Sequence, residues 1–104
     1  MRRRRYEILL PLTHNDGRPV SPDKFQRTKD ERIAQFGAVS MSAFAVIGAW
    51  VHEGTRYEDE LRRFTVDVED VPENQHFLVA YKKTLLERFE QFKIYMVSFP
   101  IEII

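Results

Sequence analysis

The chain has 104 residues, 43% of them hydrophobic and 31% charged, a mixture that can bury enough apolar surface to offset chain entropy and so excludes wholesale disorder. Sixteen basic and sixteen acidic side chains cancel, so no global field draws the protein to nucleic acid, anionic lipid or an acidic substrate. With no cysteine, disulfide frameworks, thiolate catalysis, iron-sulfur clusters and cysteine-ligated zinc are excluded.

At this length one core is expected, so residues 1–104 read as a single domain with residues 1–5 as a basic N-terminal arm. The arginines at positions 2–5 account for a charge split that the neutral total conceals. Residues 1–12 have a basic start and an apolar stretch, but Glu7 and Pro11 interrupt it and no small-residue cleavage site follows. That makes a poor signal peptide, and a cytoplasmic location is the expectation.

Over residues 6–12, Tyr6, Ile8, Leu10 and Leu12 alternate with Glu7, Leu9 and Pro11, the period of a strand with one apolar face. His14, Asn15, Asp16, Gly17 and Pro19 then form a turn-rich stretch, and Ser21-Pro22-Asp23 supplies a cap, a proline at the first helical position and a first-turn acid. A first helix is therefore predicted from Pro22 to Phe36, with Phe25, Thr28, Ile33 and Phe36 on an arc of about 140° and Gly37 ending it.

Residues 39–52 alternate as one long strand bent at Gly48. One parity, from Val39 to Val51, is uniformly apolar and small, as expected beneath helices; the other carries Phe44, Val46, Trp50 and His52. The uncharged run 37–51 falls short of the roughly 20 apolar residues of a membrane span. A turn at residues 53–56 leads to a strand at 61–69, paired with the preceding one as a hairpin. Residues 72–92 read as a second helix, with Phe77, Leu78, Tyr81, Leu85, Phe89 and Phe92 on an arc of about 120°. Residues 93–104 are apolar on both parities, predicting a final strand covered on both faces.

This order, with two right-handed crossovers, predicts an α+β fold of the ferredoxin-like βαββαβ kind: a four-stranded antiparallel sheet with two helices on one face. The other face carries apolar side chains that a monomer would not leave exposed. Something should cover it, and a homodimer pairing through Phe44, Val46 and Trp50 is expected.

The runs Gly48-Ala49-Trp50-Val51-His52-Glu53-Gly54, Val66-Asp67-Val68-Glu69-Asp70, Tyr81-Lys82 and Arg88-Phe89-Glu90-Gln91, with Tyr57 and Asp59, resemble a small bacterial family known chiefly as hypothetical proteins of about this length. The resemblance spans most of the chain. Gly17-Arg18-Pro19-Val20-Ser21 also resembles a stretch in another uncharacterised ferredoxin-like family. Both imply a fold and neither implies an activity.

Trp50 and His52 share a sheet face, so an imidazole beside an aromatic wall could act as general base or bind an anionic group, or be an ordinary sheet-edge histidine. Arg88 falls inside the apolar arc of the second helix, where it should pair with a carboxylate or else hold an anion at the end of a pocket with Tyr57 or Lys82 beside it. Trp50, His52, Tyr57 and Arg88 are thus the candidate ligand-binding residues, and no catalytic residue is identified. His14, His52 and His76 lack ligand spacing, and the acidic groups around Glu58 and Asp67 lack a cation-loop pattern; no metal and no cofactor are expected.

Three functions follow: a homodimeric binding or structural module assembled through its sheet face; a cofactor-independent enzyme of the dimeric α/β-barrel kind with an aromatic-lined pocket for a small-molecule ligand; and a nucleic-acid module using the N-terminal arginines. The first asks least of the residues. Neutral charge and the absence of a ribonucleoprotein strand signature weigh against the third, and no membrane partner is expected.

Overall fold

The computed structural model describes residues 2–104, and Met1 lies outside the described residues. The elements run β1 (Arg3–Pro11), α1 (Pro22–Phe36), β2 (Ser40–Met41), β3 (Val46–His52), β4 (Thr55–Glu69), α2 (Pro72–Arg88) and β5 (Tyr95–Ile101). The sheet is antiparallel throughout, in the order β2-β4-β1-β5 with β3 also paired to β4. Both helices cover one face, which gives the predicted α+β ferredoxin-like fold with five strands in place of four.

The core follows from period. Tyr6, Ile8 and Leu10 of β1 lie beside Val66, Phe64 and Arg62 of β4 in register, and the apolar members of that set meet Phe25, Leu78, Tyr81 and Leu85 of the helices and Phe89 just past α2. Helix α1 has the predicted bounds. The Ser21 hydroxyl accepts from the Asp23 N–H, and Gly37 turns left-handed at φ 80 while donating to the Ile33 carbonyl at 2.7 Å.

The strand predicted over 39–52 breaks at 42–45 rather than at Gly48, because the Arg63 N–H donates to the Ser42 hydroxyl and the Arg62 guanidinium to the Ser42 carbonyl. Such bonds draw the backbone out of the ladder. Phe44 therefore stands on no strand and is 86% exposed. On α1 the inward position falls to Arg32, while Ile33 turns toward solvent. Helix α2 ends at Arg88, since Glu90 adopts a left-handed φ of 54, and Phe92 stands outside it, exposed.

Two corrections concern the sheet. Strand β5 is an edge, paired only with β1, and Tyr95 and Phe99 are exposed rather than covered. Arg3, Arg4 and Arg5 open β1 instead of forming an arm; Arg4 pairs with Asp70 at 3.0 Å and Arg5 with Asp67 at 2.8 Å.

Strand β4 runs past the end of β1, and its first half pairs with β3 alone. Glu53 and Gly54, both at positive φ, close this ribbon in the two-residue turn that suits strand twist. The result is an arm over residues 46–60 that outreaches the helices. Ile47 and Val51, expected beneath helices, are 70% and 69% exposed on it.

Candidate functional site

Three of the four candidate ligand residues meet on the arm. In the β3–β4 register Trp50 lies opposite Tyr57, and Gly48 opposite Asp59. The indole and phenol rings stack with centroids 4.5 Å apart and planes 19° apart. The indole Nε1–H donates to Asp59 Oδ2 at 2.9 Å. His52 lies on the same side, its ring 6.4 Å from the indole, with Nε2 3.7 Å from the Glu53 carboxylate. Gly48 leaves room at the root of the shelf, since a β-carbon there would come within 3.2 Å of Leu61 Cδ1.

The shelf is open. Trp50 is 48% and Tyr57 42% exposed, and two open depressions, of about 380 and 460 Å³, lie along the helices away from these rings. An aromatic pair with a carboxylate at its edge can stack a flat group, attract a cation or pack against another apolar surface.

The shelf continues the helix-free sheet face, which is less apolar than its sequence pattern predicts. Tyr95, Val97, Phe99 and Ile101 form one apolar stripe on β5, in register with Leu9, Glu7, Arg5 and Arg3. Val46, Trp50, Tyr57 and Leu61 form a second on the arm. Between them runs a charged band, with Arg5 gripping both Asp67 oxygens at 2.8 and 2.9 Å and Arg63 Nε 4.0 Å from Glu7.

Arg88 does not join the shelf. It lies between the helices, where Nη2 donates to Glu31 Oε2 at 2.9 Å and Nη1 to the Thr28 hydroxyl at 2.8 Å. Its side chain is 7% exposed, so this is the carboxylate pairing expected of an arginine inside an apolar arc. Tyr81 donates its phenol proton to the same Glu31 carboxylate at 2.6 Å. Burial pushes the Tyr81 phenol up from its ordinary value, and its bond to Glu31 adds to the rise. Partial burial pushes the Glu31 carboxyl up, but bonds from Tyr81 and Arg88 and the charges of Arg88 and Arg27 outweigh it and hold Glu31 below its ordinary value. Arg32 completes the cluster, stacked on Tyr81 with Nε and Nη1 buried and without hydrogen-bond partners among the described residues.

Residue-by-residue reading of the sequence missed Asp59, Glu31, Thr28 and Arg32. Asp59 was legible in principle: once Trp50 faces Tyr57, antiparallel register brings Asp59 to the same side. Nothing local in the sequence marks Glu31 as the partner of a residue 57 positions away. No three His, Cys, Asp or Glu side chains converge as metal ligands among the described residues, and no described helix is long and apolar enough to cross a membrane.

No family model matches the chain, and no curated protein matches it. Several solved structures do. CutA1 from Oryza sativa superposes with a TM-score of 0.67 at 12% identity, covering 98% of this chain and 82% of that one. The divalent cation tolerance protein (Cut A1) from Thermus thermophilus gives 0.65 at 13%, covering 95% and 84%. The B. subtilis GlnK-ATP complex gives 0.62 at 17%, covering 96% and 82%. At these identities the likeness shows the fold alone. The sequence resemblance to an uncharacterised bacterial family holds for the fold and no further: the matching folds belong to named proteins, from a plant as well as from bacteria.

Proposed function

We propose that this chain is a small homo-oligomeric binding or structural module, assembled through the helix-free sheet face and the arm that extends it, with a two-fold dimer as the smallest closed form. The observation that carries this reading is the isolated ribbon of residues 46–60. Two strands alone are marginal in water, yet this ribbon presents Trp50 and Tyr57 to solvent on the helix-free side, and Ile47 and Val51 on the opposite side. A second copy docked on the helix-free face would cover the first pair.

Each Å² of apolar surface buried contributes roughly 25 cal/mol, against an association cost on the order of 4–15 kcal/mol. The two stripes together offer four exposed aromatic side chains per copy, Trp50, Tyr57, Tyr95 and Phe99. Burying them favours association, while the Arg5–Asp67 and Arg63–Glu7 pairs between the stripes set register more than affinity.

The test is Trp50→Glu, which sets a second carboxylate beside Asp59 within the contact. Sedimentation and light scattering of the parent are expected to give an oligomer mass at micromolar concentration, and the variant to dissociate on dilution. A parent of monomer mass at that concentration removes the reading. The enzyme alternative asks for an enclosed pocket, whereas Trp50, His52 and Tyr57 are exposed on the arm. The nucleic-acid alternative loses its main support where Arg4 and Arg5 are already ion-paired.

A further inference from the structure

One carboxylate ties the β1–α1 connection to the far end of α2. Glu90 Oε2 lies 3.3 Å from His14 Nδ1 and 3.4 Å from Lys24 Nζ, and Oε1 lies 3.6 Å from Arg18 Nη2. A well-made charge-assisted bond is roughly 2.7–2.9 Å long. All three contacts exceed that. His14 is the clearest case: its side chain is 5% exposed, and Nδ1 faces the carboxylate yet is buried without a hydrogen-bond partner. Three nitrogen groups from one loop and the first turn of α1 therefore converge on an anion that engages none of them closely.

The backbone at Glu90 adds a second oddity. It sits at φ 54 just past the end of α2, where glycine is usual and any other residue is strained. The Glu90 side chain at this position reaches back to the β1–α1 connection. Of its neighbours, Arg18 already gives Nε to Asp16 at 2.6 Å and faces Glu90 through Nη2, whereas Lys24 has no other carboxylate partner among the described residues. Lys24 also lines the groove of about 460 Å³ between the first turn of α1 and the last turn of α2, with Arg27, Thr84 and Arg88 beside it and Asp23 and Glu87 opposing them. The Arg18 and Glu90 side chains, 60% and 53% exposed, leave the cluster itself open to a small solute.

We propose that Glu90 is an internal stand-in for a small phosphate-bearing ligand, whose phosphoryl group binds His14, Arg18 and Lys24 and displaces the carboxylate. A phosphoryl group has three free oxygens for three donors and up to two negative charges against one, so it can satisfy the array that Glu90 only spans. Displacement would exchange the Glu90 contacts of His14, Arg18 and Lys24 for the ligand while Val20 stays anchored in the core.

Calorimetric titration of the full chain with inorganic phosphate at fixed ionic strength tests this in the parent, Glu90→Gln, Glu90→Gly and the double variant Glu90→Gln with Lys24→Ala. Removing the competing carboxylate is expected to tighten phosphate binding by about tenfold, the size of one displaced ion pair, and Lys24→Ala to reverse the gain. Glu90→Gly relieves the left-handed backbone and so keeps the test open if the glutamine variant folds poorly; phosphate should raise its unfolding temperature. An affinity unchanged in both Glu90 variants, or one indifferent to Lys24→Ala, overturns the proposal and leaves Glu90 a structural clamp. Phosphatidylcholine vesicles carrying phosphatidic acid form the second arm. Binding to them without binding to free phosphate would assign the cluster to a lipid headgroup and overturn the small-ligand form.

Discussion

The guanidinium carbon of Arg32 lies 3.4 Å from the centroid of the Tyr81 ring, so a side chain only 2% exposed is held by an aromatic face rather than by a carboxylate. Phe77 and Phe36 complete the surround at 5.3 and 5.6 Å. Burial pulls the pKa of this guanidinium down. A desolvated cation-π contact contributes about 2 kcal/mol, whereas each buried donor left unpaired costs about 1–3 kcal/mol, and Arg32 has two. The costs win. Arg32→Met is therefore expected to leave stability unchanged or raise it by up to about 2 kcal/mol, as when buried charge gives way to apolar volume. Urea denaturation checks this, and a lower midpoint with unchanged slope would show that the stack outweighs the unmade bonds.

Removing Glu31 should act in the opposite direction. Glu31→Ala leaves Arg88 buried without its carboxylate, and a loss of about 2 kcal/mol is expected, below the range for a fully buried pair because a third of the Glu31 side chain is still solvated. The pH dependence has a definite sign. A carboxyl whose folded pKa lies below its unfolded value adds stability that is present above the unfolded value and is lost as pH falls through the folded one. The parent should lose this contribution on acidification below the ordinary glutamate range, and Glu31→Gln should flatten that part of the stability profile.

Trp50 is the only tryptophan, so its emission reports the arm directly. Within one copy the indole is 48% exposed and stacked on Tyr57. If a second copy covers it, emission should be blue-shifted at high concentration and move to the red on dilution, in step with the fall in mass. A concentration-independent red emission would count against assembly through the arm.

Gly37 ends α1 at φ 80 with open space where a β-carbon would stand. The strain is in the backbone alone, so Gly37→Ala should cost about 1 kcal/mol without disturbing the core. Thermal unfolding of the variant checks the figure; no change would mean that the end of α1 relaxes.

Local signals made the helices readable. Ser21-Pro22-Asp23 and Gly37 bounded α1 at its observed ends, because caps act on the residues beside them. The wheel of α1 failed at one place: hydropathy put Ile33 inward, and the structure turns in Arg32, whose aromatic surround comes largely from α2. The end of α2 was missed for a related reason. The apolar arc continues to Phe92, but Glu90 leaves the helix with its carboxylate turned toward the β1–α1 connection.

Of the candidate site, Trp50 and His52 were legible as neighbours, since two positions along a strand keep one face; Tyr57 was set beside Arg88 instead, because the strand that brings it back to Trp50 begins at Thr55 and not at residue 61. Arg88 was legible only as a buried cation in need of a carboxylate. Its grouping with the other three would have required α2 to end near the arm's shelf.

By itself the sequence determined the element order, the cap and turn positions, the faces of β1 and β4, and the need for Arg88 to find a counter-charge, because each is written in spacings of two to four residues. The tertiary structure alone decided which distant groups meet: Glu31 with Arg88 and Tyr81, Glu90 with His14, Arg18 and Lys24, and the two apolar stripes separated by the Arg5–Asp67 pair. Those contacts depend on how far β4 overruns β1 and how the helices cross the sheet. Both are set by the simultaneous packing of the whole core, which no local window of sequence contains.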